Sequence, residues 1–246
     1  MQIPPQLLDI LRKASRVTVL TGAGISADSG IPTFRDPQHG LWSRFRPEDL
    51  ANAEAFRRDP ALVWGWYEWR REAVRAAEPN PAHLALVTLE QRVPEFTLIT
   101  QNVDGLHARA GSRKLVELHG NIMRNKCFAE GTVVEQGVDD GEPPPKCPRC
   151  GGPLRPDVVW FGEALVEEHL AMAHKAASEC DLFLVIGTSA AVMPAAHFPR
   201  VALESGAVLV EINRDATPLS AVSHAALRGP AALVLPHLLN TAWPGN

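Results

Sequence analysis

Five short apolar runs each lead into residues able to do chemistry. VTVLT (17–21) runs into Gly22-Ala23-Gly24, and FTLIT (96–100) into Gln101-Asn102 with Asp104 just beyond. LVELH (115–119) ends in His119-Gly120, LFLVI (182–186) leads to Gly187-Thr188-Ser189, and AVLVEI (207–212) to Asn213. Glycines let backbone N–H groups approach an anion closely. Amides and a carboxylate supply fixed dipoles for developing charge. An imidazole titrates near neutrality and suits a general base. Each residue also has a plainer use: glycine for a tight turn, Asn and Asp for turns or caps, His119 as a strand-end residue. Five such sets at five run ends make coincident turn chemistry the weaker explanation.

The run GAGISA (22–27) fits G-x-G-x-x-A after a strand, a loop that can meet a pyrophosphate. A hydride-transfer layout is not supported. The acidic residue that dehydrogenases place about 20 positions on, at the end of a second strand, is missing. In its place runs SGIPTFRDPQHGLW, which carries Phe34, Arg35 and Asp36.

The elements that must position these groups are strands and crossover helices. The five runs, with AALVL (231–235) as a sixth, are short, apolar and mostly rich in β-branched residues. Helical patterns at 81–92, 163–178 and 195–205 separate several of them. Continuous apolar strands alternating with helices predict an α/β fold, a Rossmann-like parallel sheet covered on both faces. Its ligand belongs beyond the C-terminal strand ends. Residues 36–80 hold no convincing strand, and 121–156 are polar, Pro-rich and Cys-bearing. The expected division is a discontinuous larger domain of 1–35, 81–120 and 157–246. A smaller inserted lobe then combines 36–80 and 121–156, with 137–146 as a surface loop.

Two of the four cysteines form Cys147-Pro-Arg-Cys150-Gly-Gly, a zinc-knuckle spacing. A tetrahedral structural site needs a second knuckle, expected near Cys127, where the partner position holds Glu130 instead of cysteine. Two states remain open: a structural zinc on Cys127, Cys147 and Cys150, or a metal-free lobe with three thiols. Cys180, in SECDLFLVI, reads as a small core residue.

The only tyrosine of the chain sits in WGWYEWRREAV (64–74), three residues before Arg70. Asp59-Pro60 starts a helix as N-cap and first residue. Around that helix Glu68, Arg71, Glu72 and Arg75 share a polar arc, while Arg70 falls among Trp66, Trp69 and Val74 and Tyr67 sits at the boundary. The arginine either snorkels outward or, with the phenol, grips an anion.

The chain has 246 residues, 46% of them hydrophobic, and a net charge of −4. That is enough for a large domain with an insert, and it argues against nucleic acid as partner. The start MQIPPQLLDILRKAS lacks a signal-peptide core. The most apolar stretch, LFLVIGTSAAVMPAA, is too interrupted to span a membrane. A cytoplasmic protein is expected, of unassigned oligomeric state.

Taken together, GAGISADSGIPTFRD, TQNVDGLH, ELHG, CPRCGGPLRPDVVWFGE, GTS and the final IN resemble the sirtuin family of NAD-consuming protein-lysine deacylases, in the family's order over about residues 17–235. The resemblance implies a Rossmann domain with a small lobe of helical module and zinc ribbon. It implies that the acyl-lysine oxygen attacks the nicotinamide ribose, after which His119 serves as general base on a ribose hydroxyl. By motif, Asn102 and Asp104 line the nicotinamide pocket and Gln101 orients the ribose. Gly22, Ala23, Gly24, Phe34 and Arg35 form the loop over the cofactor. Gly187, Thr188 and Ser189 take phosphate and ribose, Asn213 the adenosine ribose, and Ala231 an adenine contact. His107 is assigned to structure.

An extended acylated peptide is expected between VVWFGE (158–163), with Val159, Phe161, Gly162 and Glu163 as contacts, and SAAVMP (189–194). Met193 stands there where the family often has an aromatic. Tyr67-x-x-Arg70 and VVWFGE resemble the class III group, which removes succinyl and malonyl groups, so an acidic-acyl preference beside deacetylation is implied. Protein ADP-ribosylation and a non-catalytic NAD-binding sensor are the alternatives. Zinc has no part in the chemistry in any of these.

Overall fold

The computed structural model describes residues 3–32 and 44–245. Its main sheet has the strands β1 (Arg16–Thr21), β2 (Glu95–Thr100), β3 (Leu115–Glu117), β7 (Leu182–Ile186), β8 (Val208–Asn213) and β9 (Ala225–Arg228). They run in the order β3-β2-β1-β7-β8-β9, and every pairing is parallel. The order reverses direction at β1, where a doubly wound sheet opens its ligand crevice. Thr21 lies opposite Thr100 on one side and Ile186 on the other, so three central strands end level.

Strand periodicity divides the core. Val17, Val19, Leu98, Leu184 and Val210 face one layer, packed against α1 (Pro5–Lys13), α5 (Pro81–Arg92) and α9 (Ala231–Ala242). Leu20, Ile99, Phe183, Val185 and Leu209 face the other, against α7 (Glu167–Glu179) and α8 (Phe198–Glu204). Burial on both faces explains the unbroken apolar reading of these strands.

One expected strand is a helix. Residues 231–235 open α9, and the sixth strand is β9 at Ala225–Arg228. A short apolar run fits a buried helix as well as a buried strand. Here Pro230 stands at the N-cap and Ala231, Ala232, Val234, Leu235, Leu238 and Leu239 are all buried, while Leu233, His237 and Asn240 turn outward on one face. β3 also stops at Glu117, which leaves Leu118 and His119 beyond the strand.

A second, antiparallel sheet orders β5 (Val133–Val134), β4 (Gly120–Cys127) and β6 (Leu154–Val158). Beside it lie α2 (Pro47–Leu50), α3 (Ala53–Arg58) and α4 (Pro60–Ala76). Their shared core includes Phe56, Trp66, Tyr67, Ile122, Val158 and Trp160. α4 begins as expected, with the Asp59 carboxylate accepting from the Leu62 N–H at 2.9 Å and Pro60 in the first turn. Its polar arc holds at Glu68, Glu72 and Arg75 and fails at Arg71. Arg71 is buried and donates to the carbonyls of Ile122 (2.6 Å) and Arg124 (3.3 Å) and to Asn125 (2.6 Å), tying α4 to β4. A helical projection cannot see the strand laid across that face. Tyr67, placed at the boundary by the same projection, is buried too.

Among the described residues no helix is long and apolar enough to cross a membrane.

Candidate active site

The two glycine turns at the strand tops are locked together by contact. Gly22 N–H donates to Ile186 and Gly24 N–H to the Gly187 carbonyl at 2.8 Å. A Cβ on Gly24 would lie 2.7 Å from that carbonyl oxygen, and one on Gly187, at φ +61°, would lie 2.4 Å from Ile25 N. Only glycine permits this approach. The turn continues as a 3₁₀ helix, Ala23–Ile25, with Ile25 buried. Phe34 and Arg35, expected to complete the loop, lie outside the described residues.

A ladder of side chains links the next strand tops. Gln101 Nε2 donates to Thr188 Oγ1 at 2.8 Å, and Asn213 Nδ2 to the Thr188 carbonyl at 2.8 Å. The Thr188 hydroxyl also accepts from Ala190 N–H at 3.2 Å. Ser189 follows in the same turn, and Ala231 is the buried first residue of α9.

Deeper in the crevice Asn102 and Asp104 meet on Ser26, which the sequence reading passed over. Ser26 Oγ donates to Asp104 Oδ2 at 2.8 Å and accepts from Asn102 Nδ2 at 3.1 Å. Asp104 Oδ1 accepts from Leu106 N–H at 2.9 Å. Burial raises the Asp104 carboxyl, while these two donors pull it back. Behind Ser26 stands His83. Asn80 N–H donates to His83 Nδ1 at 3.2 Å, which leaves the ring proton on Nε2, 3.5 Å from Ser26 Oγ. His107 packs edge-on to His83 with centroids 4.8 Å apart, and its Nε2 meets Thr21 Oγ1 at 2.9 Å. Burial lowers His83 to about 4 and His107 to about 3.

His119 is arranged differently. Its Nδ1 bonds the Gln101 carbonyl at 2.9 Å, an acceptor, so Nδ1 carries the proton. Nε2 is then the basic nitrogen. Burial is the largest influence and lowers the imidazole below its usual range, against the Gln101 bond, which raises it. The ring is therefore neutral at pH 7 and able to accept a proton.

Toward the second sheet, Trp160 Nε1 donates to the Tyr67 hydroxyl at 2.8 Å. Arg70 lies with its guanidinium carbon 4.9 Å from the Trp66 ring centroid and 5.9 Å from that of Tyr67. The sequence pair Tyr67 and Arg70 is thus adjacent in space. Of the expected peptide contacts, Val159 N–H is used by the His119 carbonyl and Phe161 N–H by that of Ala51. The Glu163 carboxylate is held by Arg155 and by Trp160 N–H, so it braces the segment. Phe161, Gly162 and Met193 are exposed along this edge.

Cys127, Glu130, Cys147 and Cys150 bring one ligand atom each to within 4.8 Å of one another. Three soft sulfurs with one carboxylate fit a structural zinc. Cys180 lies apart in the main core, as expected.

The Sir2 family profile matches residues 22–194. The chain belongs to the Sir2 family. A Thermus thermophilus relative named NAD-dependent protein deacylase is 56% identical over 234 residues, covering 92% of this chain and 91% of its own. NAD-dependent protein deacylase 1 of Pseudomonas aeruginosa is 49% identical over 247 residues, covering 97% and 99%. A solved complex of a Sir2 homologue with NAD superposes with TM-score 0.91 at 45% identity, covering 98% of this chain and 94% of that one. A Sir2–p53 peptide–NAD+ complex gives 0.87 at 31%, covering 98% of each. Membership of the Sir2 family agrees with a parallel-sheet crevice built from five strand tops. Ser26, His83 and Trp160 are the site residues that spacing alone did not reveal. Ser26 is the only hydroxyl inside GAGISA and Trp160 lies within VVWFGE, whereas His83 gives no local signal.

Proposed function

We propose that this Sir2-family protein removes acyl groups from protein lysine side chains in the cytoplasm, consuming NAD and releasing nicotinamide and O-acyl-ADP-ribose. The observation that carries the reading is the oriented, neutral His119 on the same crevice edge as the Ser26–Asn102–Asp104 network.

NAD supplies a C1′ carbon made electrophilic by its nicotinamide leaving group. The glycine turns and the Gln101–Thr188–Asn213 ladder bind and orient its phosphates and riboses. Asn102 and Asp104, held by Ser26, present a fixed amide and carboxylate to the nicotinamide end, where positive charge develops. His119 Nε2 takes the proton of a ribose hydroxyl so that this oxygen can attack the acyl carbon. The peptide lies extended along 158–163 and 189–194, and backbone pairing tolerates many sequences.

The acyl preference in this reading is for succinyl and malonyl groups, with deacetylation alongside. The support is a phenol and a guanidinium packed together on α4, able to grip a distal carboxylate. A panel of acetyl-, malonyl- and succinyl-lysine peptides with NAD tests it. Faster turnover of the acidic pair is expected, and turnover of acetyl-lysine alone refutes the preference.

A further inference from the structure

The two halves of the cysteine cluster are the same turn built twice. In Cys127-Phe-Ala-Glu130-Gly131, Gly131 N–H bonds the Cys127 carbonyl at 2.9 Å, and Cys127 N–H bonds the Thr132 carbonyl at 2.9 Å. In Cys147-Pro-Arg-Cys150-Gly151, Gly151 N–H bonds the Cys147 carbonyl at 2.9 Å, and Cys147 N–H bonds the Gly152 carbonyl at 2.7 Å. Gly131 and Gly151 share a left-handed φ, +69° and +72°. Glu130 therefore occupies, bond for bond, the position that Cys150 holds in the other turn.

From this we infer that Glu130 is the fourth ligand of a three-thiolate, one-carboxylate zinc site. Arg149 Nη2 holds Glu130 Oε2 at 2.5 Å, and Thr132 Oγ1 reaches the same oxygen at 3.5 Å. Those bonds hold the carboxylate beside the three sulfurs. Such hydrogen-bonded orientation of a ligating carboxylate is the usual work of outer-shell partners. Three thiolates and a carboxylate leave a net charge of −2 on the divalent site, which the adjacent Arg149 partly offsets. Backbone N–H groups also point at sulfur, Glu130 N–H to Cys127 Sγ and Gly152 N–H to Cys150 Sγ, both at 3.4 Å. An oxygen ligand is harder than the thiolate it replaces, so the site binds zinc less tightly than a four-cysteine site would.

The test is metal affinity and cobalt spectroscopy on the full chain, with no reference to activity. The wild type is expected to hold one zinc per chain. Its cobalt form should show tetrahedral d–d bands and charge transfer from three thiolates. Glu130→Cys should raise the charge-transfer intensity to that of four thiolates and tighten zinc against a chelator. Glu130→Ala should weaken zinc by at least ~10-fold, the lower end of what even outer-shell losses cost. A wild-type chain without zinc, or zinc affinity and cobalt spectrum unchanged in Glu130→Ala, overturns the assignment. Should Glu130→Ala fail to fold, a Glu130→Cys spectrum identical to wild type overturns it equally.

Discussion

Trp160 Nε1 and the Tyr67 hydroxyl are 2.8 Å apart, both on buried side chains. An indole nitrogen only donates, so the tyrosine oxygen must accept. The phenol proton is thereby left to point elsewhere. Burial pushes the Tyr67 pKa to about 12, against the smaller lowering effects of Arg70 and Trp160, so that proton stays on. In the proposed acyl clamp Tyr67 is then a donor, with its orientation set by Trp160. Arg155 and Glu163 in turn fix the indole: Arg155 lies over the ring face and Glu163 binds the Trp160 backbone N–H at 2.9 Å.

Trp160→Phe keeps an aromatic body and removes the donor. It should lower kcat/KM for succinyl-lysine about 5-fold, the value of one neutral hydrogen bond at ~1 kcal/mol, and leave acetyl-lysine within about 2-fold. Steady-state kinetics on the two peptides decide it. An equal fall for both would mean that the tryptophan serves packing alone.

Arg70→Met retains much of the stem that packs on Trp66 and loses the charge. A hydrogen bond to a charged group is worth about 1.5–3 kcal/mol, so desuccinylation should drop roughly 10- to 100-fold while deacetylation changes little. Parallel loss of both activities removes the clamp.

His119→Ala should bind NAD as the wild type does and lose at least ~100-fold in deacylation, the ordinary scale of a missing acid–base group. Because burial lowers His119 below its reference of 6.5, the acid limb of the wild-type profile should fall below that pH. An acid limb above 6.5 contradicts the geometry.

His83 and His107 make a separate prediction about stability. Their folded values, about 4 and about 3, lie under the unfolded 6.5. Below 6.5 the unfolded chain therefore takes up protons that the folded chain refuses. Stability present above that pH falls as pH drops toward 4 and then 3. At pH 5 each histidine should cost roughly 2 kcal/mol, at 1.36 kcal/mol per unit. Urea unfolding at pH 7 and pH 5 measures this, and His107→Asn should flatten the dependence. A wild type equally stable at both pH values would contradict it.

Much of this fold could be read in the chain because a two-faced parallel sheet leaves unbroken apolar runs. Five of those runs are strands, and their ends carry the ladder from Gln101 to Asn213. The sixth, 231–235, is a helix whose outward face, Leu233 with His237 and Asn240, shows its period only beyond the apolar run. Arg71 was misread because a helical wheel omits β4. The His83–Ser26–Asp104 contacts join residues 57 and 78 positions apart, and no local pattern records such a meeting. In the cysteine cluster the Cys147–Cys150 knuckle and its mate at Cys127 and Glu130 are both legible by spacing, whereas the matching turn that brings Glu130 beside the thiols is a matter of backbone geometry.

The most direct test incubates the protein with NAD and a succinyl-lysine peptide and weighs every product by mass spectrometry. Deacylated peptide, nicotinamide and O-succinyl-ADP-ribose should appear in equal amounts, and His119→Ala should form almost none. Intact NAD beside every acylated peptide, NADH, or ADP-ribose attached to protein would contradict the account.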